Sequence, residues 1–544
     1  MTGFFRLSWT DSLRYLCIGV ALLILVPIGG VAVGLFDGDG AAWTHISRTT
    51  LPGLIGNSLL LAASVAIGVA CIGTLCAWLT AHHDFPGRKA FEWLLILPMA
   101  MPAYVMAYAY TDMLQFAGPL QGALRTIFGW QVKADYWFPE IRSLGGAAIM
   151  LTFVLYPYVY VLARVAFVEQ STSLIEAGRS FGYGRFGIFW RVSLPLARPA
   201  IAAGTALALM EALADYGTVS YFGVSTFTTG IFNAWFSQGD RAAAGRLAMI
   251  LMVFVALAMA LEYAARRRSR FHQVSGRKQS RIVLAGRQRW IASALCLLPI
   301  VVGFAVPTLL LLRLSISDGD TTLGMRFISL AGNSALVAAI SALIAVSVAL
   351  LLAYGARLSK GGLHRAINRV AGLGYAIPGT VIAVGVLIPV GRLDHFLVDW
   401  LARVSGHAMP LLLTGGVAVL VYAYLIRFLG VAQQSVDAGL AKITPGMDDA
   451  ARSLGAGNWT VAARVHAPLL KGSLITAALL VFVDVMKELP ATLVLRPFNF
   501  DTLAVQAYHL AMDERLAEAS TASLAIVAVG LIPVVFASRA ITRG

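Results

Sequence analysis

Twelve runs of apolar residues, each long enough to cross a lipid bilayer as a helix, dominate this chain. They lie near 13–35, 57–80, 93–114, 144–165, 199–219, 243–265, 290–313, 333–356, 370–391, 409–430, 472–493 and 517–538. About 20 apolar residues at 1.5 Å each cross the hydrocarbon layer. No water reaches backbone N–H and C=O groups there, so only helices and closed barrels can span it. Barrel strands alternate in polarity over about ten residues. Runs such as Leu336 to Leu352 are apolar on every face, so the spans are helices. Of the 544 residues 58% are hydrophobic and 13% charged, about half the charge of a soluble chain. A soluble enzyme, a disordered chain and a nucleic-acid-binding domain are excluded. The expected fold class is an all-α polytopic membrane protein with about twelve transmembrane helices and no separate soluble domain.

Charge sets the expected orientation. Residues 266–289 carry Arg266, Arg267, Arg268, Arg270, Arg277, Lys278, Arg281, Arg287 and Arg289 without an acid. Residues 357–369 add Arg357, Lys360, Arg365 and Arg369. Lys and Arg collect in cytoplasmic loops, so both stretches and both termini should face the cytoplasm. The first span reads as a retained helix, since no small-x-small cleavage site follows it before Asp37. The basic stretch lacks interleaved aromatics and sits between two spans, so its expected contact is anionic lipid headgroups, not nucleic acid. Cys17, Cys71, Cys76 and Cys296 fall inside spans without a CxxC, which gives no redox or zinc signal.

The chain is an internal duplication. Glu176-Ala-Gly-Arg-Ser-Phe-Gly182 matches Asp449-Ala-Ala-Arg-Ser-Leu-Gly455 at an offset of 273. The same offset pairs Arg191 with Arg464, Pro195 with Pro468, Phe227 with Phe500, Thr229 with Thr502 and Asp240 with Asp513. Upstream an offset of 276 pairs Asn57-Ser58 with Asn333-Ser334 and Pro102 with Pro378. The expected organisation is a first half at 1–265, a basic cytoplasmic connector at 266–289 and a second half at 290–544. Six helices in each half keep both halves in one orientation, related by a pseudo-two-fold axis along the membrane normal.

The two matched loops, about 166–198 and 431–471, share the pattern acid-Ala-small-x3-Gly-x9-apolar-x2-Pro. Glu176, Ala177, Gly178, Gly182 and Pro195 fill it first, and Asp449, Ala450, Ala451, Gly455 and Pro468 fill it again. The acid suits the positive end of a short helix, the Gly permits a sharp turn out of it, and the Pro can open the next spanning helix. One spacing kept twice in one chain is unexpected of ordinary connectors. These residues resemble the EAA loop, E-A-A-x3-G-x9-I-x-L-P, of the membrane permeases of binding-protein-dependent ABC importers (the type I importer permease fold). Val192 and Val465 stand for Ile, Gly178 for Ala, Asp449 for Glu and Ala467 for Leu, changes that keep size or charge sign. The resemblance implies that each loop docks on a cytoplasmic ABC ATPase, two copies in all, and that one fused chain replaces a permease dimer. No GxxxxGK[ST] phosphate loop occurs, and Gly276-Arg-Lys278 lacks its spacing. The implied ATP is therefore bound by the partner subunits. No cofactor and no catalytic residue is expected in this chain.

The stretches Glu211-Ala-Leu-Ala-Asp215-Tyr-Gly-Thr218 and Asp484-Val-Met-Lys-Glu488-Leu-Pro-Ala-Thr492, with Arg496-Pro-Phe-Asn-Phe-Asp-Thr-Leu503, resemble fused permeases of ferric-iron importers. That resemblance implies a periplasmic iron-binding protein as partner and the bacterial inner membrane as location. Independently, Glu211 and Asp215, and Asp484 and Glu488, sit at i and i+4 on one helix face. Acids at that depth mark a pathway or a structural partner, so the four are candidate path residues for a hard cation, with structural polar contacts as the other reading. Lys487 can pair with one of them. Tyr216, Tyr508 and His509 are further candidate metal ligands, largely set aside because Tyr and His are common at membrane interfaces. Rival functions are a permease for thiamine, phosphonate or another small solute, and an ion-coupled secondary transporter, which would not need two such loops. No HExxH or GxSxG spacing supports a membrane-embedded enzyme.

Overall fold

The structure, a computed structural model, describes residues 9–34, 40–267, 281–317, 325–358, 362–407, 410–457 and 460–542. Part of the basic connector, 268–280, lies outside the described residues. Among the described residues eleven helices are long and apolar enough to cross a membrane, and a bent pair makes a twelfth. The fold is all-α and polytopic.

The third and ninth spans depart from expectation, and proline is the reason. A residue before Pro is pushed out of the helical region. Met101 is extended (φ −89°, ψ 117°) ahead of Pro102. Ile377 is extended (φ −80°, ψ 124°) ahead of Pro378. The run expected at 93–114 is therefore two segments, Arg88–Ala100 and Ala103–Phe128, bent by 90°. The run expected at 370–391 begins at Gly379, and its helix extends to Ser405.

Two compact units form, each drawing on both sequence halves. One comprises Met1–Gly38, Ala234–Met249 and Leu323–Val505; the other comprises Asp39–Asn233, Ile250–Thr322 and Gln506–Gly544. The first helix of the chain, Trp9–Gly34, thus packs with later residues, against Gly379–Ser405. Gly30 and Gly385 face the partner backbone at that crossing, where a Cβ on either would collide with it.

Each unit has the same core. In one, Leu51–His82, Leu144–Val168 and Leu194–Ala214 pack pairwise. In the other, Met325–Leu358, Val417–Leu440 and Ala467–Met486 do so. Lipid is as apolar as a helix face, so close packing through small residues drives association. A Cβ on Gly73 would stand 2.6 Å from the Val159 Cβ, and one on Gly204 would stand 2.6 Å from the Val159 Cα.

A polar staple is also duplicated. Asn57 Nδ2 donates to the Ser225 carbonyl at 2.9 Å, and Ser58 Oγ accepts from Phe227 N–H at 3.2 Å. Asn333 Nδ2 donates to the Asp501 carbonyl at 3.2 Å, and Ser334 Oγ accepts from Leu503 N–H at 2.8 Å. These bonds pair Phe227 with Leu503, not with Phe500, and correct the alignment there to an offset of 276. Farther on, Ala244 N–H bonds the Asp240 carbonyl and Ala519 N–H bonds the Arg515 carbonyl, so Asp240 matches Arg515 and not Asp513. The second half carries extra residues near Asn499, which adopts a φ of 60°.

Gly73→Ala should lower stability by about 1–3 kcal/mol through overpacking. Gly19→Ala, where no atom lies within 4 Å of the added Cβ, should not. Thermal unfolding in detergent checks this; equal midpoints for both variants would contradict the packing account.

Candidate functional site

Both matched loops fold into the same device. The helix Thr172–Ser180 ends at Gly182, whose φ is 79°. Tyr183 N–H reaches back over that turn to the Gly178 carbonyl at 3.1 Å. The helix Pro445–Ser453 ends at Gly455, with φ 82°, and Ala456 N–H bonds the Ala451 carbonyl at 3.1 Å. This closure needs a left-handed residue, which Gly adopts without strain. Nothing lies within 4 Å of a Cβ at either Gly, so the backbone and not crowding selects it.

The remaining motif positions divide by exposure. Glu176, Ala177, Asp449 and Ala450 are exposed. Gly178 is buried, and a Cβ there would meet Val192 at 3.4 Å. The small residue and the later apolar residue of the pattern are thus neighbours in space. Just before each turn glycine stands an exposed large apolar side chain: Phe181 is 79% exposed and Leu454 89%. Sequence reasoning passed over these two. Their signal was an apolar residue held at one place in both repeats.

Pro195 and Pro468 stand, as expected, in the first turn of the α-helices Leu194–Ala214 and Ala467–Met486, although helical structure already begins ahead of them, at Phe186 and Arg464. A proline inside a helix clashes with the carbonyl four residues back and lacks its own N–H. Both helices widen ahead of it into a π turn, Phe189–Ser193 and Val461–His466. Leu194 N–H then bonds the Phe189 carbonyl, and Ala467 N–H bonds the Ala462 carbonyl.

The second loop carries a charged latch. Asp448 Oδ1 accepts from His466 Nε2 at 2.7 Å, and its Oδ2 accepts from Arg357 Nε at 3.0 Å. His466 Nδ1 meets the Tyr354 hydroxyl at 2.6 Å, and Arg357 also donates to the Ile443 carbonyl at 3.1 Å. Burial alone would raise the Asp448 carboxyl, but His466 and Arg357 outweigh it and hold it below the usual carboxylate range. At the matching places the first half has Ile175 and Ser193, and Gln170 Nε2 donates to the Ser193 carbonyl at 2.8 Å.

Two of the four candidate path acids are helix caps. Asp215 Oδ1 accepts the N–H groups of Thr218 and Val219, both at 3.1 Å, ahead of the short helix Gly217–Tyr221. Glu488 Oε1 accepts from Ala491 N–H at 2.9 Å and Oε2 from Thr492 N–H at 3.0 Å, ahead of Pro490–Leu495. Arg427 pairs with Glu488 at 3.7 Å, and Lys487 pairs with Asp484 at 2.8 Å. Glu211 is half-buried. Tyr508 donates to Tyr216 at 3.4 Å and bonds Ser220 at 2.9 Å, so both hydroxyls are engaged with protein. His509 stacks no closer than 6.0 Å to the Tyr508 ring. Among the described residues no group of three His, Cys, Asp or Glu gathers as a metal site.

With these features in place the similarities to known proteins are informative. Residues 70–270 match the family described as binding-protein-dependent transport system inner membrane component. The Fe(3+)-transport system permease protein FbpB 2 of Haemophilus influenzae is 26% identical over 90% of this chain and 90% of its own. The putative ferric transport system permease protein FbpB 1 of that organism is 25% identical over 93% of this chain and 80% of its own. The sulfate transport system permease protein CysT of Escherichia coli is 27% identical over 40% of this chain and 74% of its own. Over residues 70–270 the chain thus matches the membrane component of binding-protein-dependent transport systems. The relatives similar to it along most of its length are named as ferric transport permeases.

A carboxyl depressed in the folded state stabilises above its unfolded pKa and stops doing so as pH falls through the folded one. The Asp448 latch should therefore hold at neutral pH and fail only in acid, below the ordinary carboxylate range. Asp448→Asn should cost about 1–3 kcal/mol of local stability at neutral pH and converge with the parent in acid. Hydrogen exchange over residues 445–457 checks this; equal protection at neutral pH would contradict the latch.

Proposed function

We propose that this chain is the membrane path of an ATP-driven importer that takes ferric iron from an extracytoplasmic binding protein and passes it to the cytoplasm. One observation carries the cargo. Likeness to permeases named for ferric transport runs along 90% and 93% of the chain, whereas likeness to the sulfate permease stops at 40%.

Two ATPase subunits supply the energy, one seated on each coupling loop. Phe181 and Leu454 support this reading, because an apolar side chain left that exposed beside an ordered turn needs a partner to cover it. Two docking devices in one chain are what a pair of ATPase copies requires, so a single polypeptide does the work of a permease dimer. In this reading the basic connector and both termini face the cytoplasm and its anionic lipids, and the membrane is the bacterial inner membrane.

Asp215 and Glu488 serve the path by holding the short helices they cap. Glu211 and Asp484 lower the barrier for a trivalent cation in a low-dielectric passage, with Lys487 tempering the field at Asp484.

Proteoliposomes holding the chain, its ATPase and its binding protein should accumulate radioactive iron only with ATP. Gly182→Val and Gly455→Val impose a strained left-handed backbone, about 1–3 kcal/mol each, and should each lower uptake severalfold. Gly182→Asn and Gly455→Asn tolerate that conformation and should retain more. ATP-dependent uptake of another solute without iron would overturn the cargo. Normal uptake by both valine variants would overturn the coupling role.

A further inference from the structure

The compact unit that contains residues 39–233 and 506–544 buries a group of tyrosines that the coupling device does not use. Tyr216 and Tyr508 are 4% and 6% exposed, and their hydroxyl oxygens stand 3.4 Å apart. Ser220 Oγ lies 2.9 Å from the Tyr508 oxygen. Tyr108, 2% exposed, sets its ring edge-on to Tyr221 with 4.6 Å between centroids. Its hydroxyl is within electrostatic reach of Tyr508 and Asp215, and it has no hydrogen-bond partner among the described residues. A buried Tyr O–H ordinarily finds one.

Packing alone does not account for these hydroxyls. By the offsets of the duplication, Val384 matches Tyr108, Leu489 matches Tyr216, Leu493 matches Ser220 and Phe232 matches Tyr508. Val384 and Leu489 are buried as well. Each position therefore has an apolar solution within the same chain.

Asp215 adjoins the group in sequence. Its carboxylate accepts the Thr218 and Val219 N–H groups and, at 3.0 Å, the Thr218 hydroxyl. Among the described residues no cation pairs with it, and the charge that acts on it is that of Glu211. Its counterpart Glu488 pairs with Arg427, and Val154 stands in that arginine's place in the first half. A small hard cation holds oxygen ligands at about 2 Å and so sets two of them roughly 3–4 Å apart. The Tyr216 and Tyr508 oxygens have that spacing. Their hydrogen bonds run to one another and to Ser220, so the oxygens that would be ligands already converge.

We propose that Tyr216 and Tyr508, with Ser220 and Tyr108, form a site for ferric ion on its way through the permease. Binding displaces one proton from each of Tyr216 and Tyr508. The two phenolates and the Asp215 carboxylate then balance the three positive charges, since a bare charge in low-dielectric surroundings is costly. Ser220 adds a neutral oxygen, and Tyr108 brings an uncommitted hydroxyl. The site's place in transport rests on the iron cargo proposed above.

The test is titration of the full-length protein in detergent with ferric nitrilotriacetate, read by the visible phenolate-to-iron charge-transfer band. Iron uptake by proteoliposomes holding the complete transporter is measured in parallel. The parent should give the band. Tyr216→Phe and Tyr508→Phe should each weaken iron binding at least about tenfold and dim the band, and Tyr108→Phe should weaken binding less. Tyr156→Phe, whose lost hydroxyl bonds the Leu95 carbonyl at 2.8 Å, should leave the band unchanged. Phenylalanine keeps the ring packing, and thermal midpoints identify folded variants. No band up to about 1 mM iron, or an undiminished band in both Tyr216→Phe and Tyr508→Phe, would overturn the site. Iron uptake by a parent that gives no band would overturn the site and leave the cargo standing. A band that depends on these tyrosines, in a parent that imports another solute and no iron, would overturn the cargo and leave the site standing.

Discussion

The structure depends on keeping backbone polar groups bonded where no water can reach them. A continuous helix does this unaided, so the demanding places are the breaks. At two of them, 273 residues apart, a carboxylate stands at the end of a spanning helix and accepts two amides of the short helix that follows: Asp215 takes those of Thr218 and Val219, and Glu488 takes those of Ala491 and Thr492. Leaving such amides buried and unmet costs about 1–3 kcal/mol each. The prolines raise the same problem in another form. At Pro195 and Pro468 the helix answers by widening one turn, and at Pro102 and Pro378 it stops and restarts.

Duplication makes these solutions visible, because each occurs twice. The three-helix cores, the Asn–Ser staples, the carboxylate caps, the π turns and the positive-φ glycines all repeat. The two halves differ at the latch. Asp448, Arg357 and His466 tie down the helix Pro445–Ser453 with charge, while the first half has Ile175 and Ser193 in the places of Asp448 and His466. Two loops with one outline are therefore anchored by different physics.

Much of this was legible in the sequence. Hydropathy located the spans, because a lipid-facing helix must be apolar along its length. The acid-Ala-small-x3-Gly spacing located the two matched loops, because a short helix with a left-handed exit admits few residue types. The failures are equally physical. Hydropathy ignores backbone geometry, so the break at Pro102 and the start at Gly379 were missed. An i, i+4 acid pair reports a shared helix face, yet the helix ends at Ala214, so Asp215 turns into a cap. Phe181 and Leu454 read as ordinary apolar residues in a chain full of them, and only their exposure sets them apart. The exchange of the first helix into the other compact unit has no local signature at all.

The central claim is that two equivalent loops seat two ATPase subunits. Photo-crosslinking residues placed at Phe181 and, separately, at Leu454 test it most directly, in membranes that hold the complete transporter. Both positions should crosslink to the ATPase, and Leu309, which is also exposed but lies within a spanning helix, should not. Absence of ATPase adducts from both loop positions in an assembled, transporting complex would contradict the account.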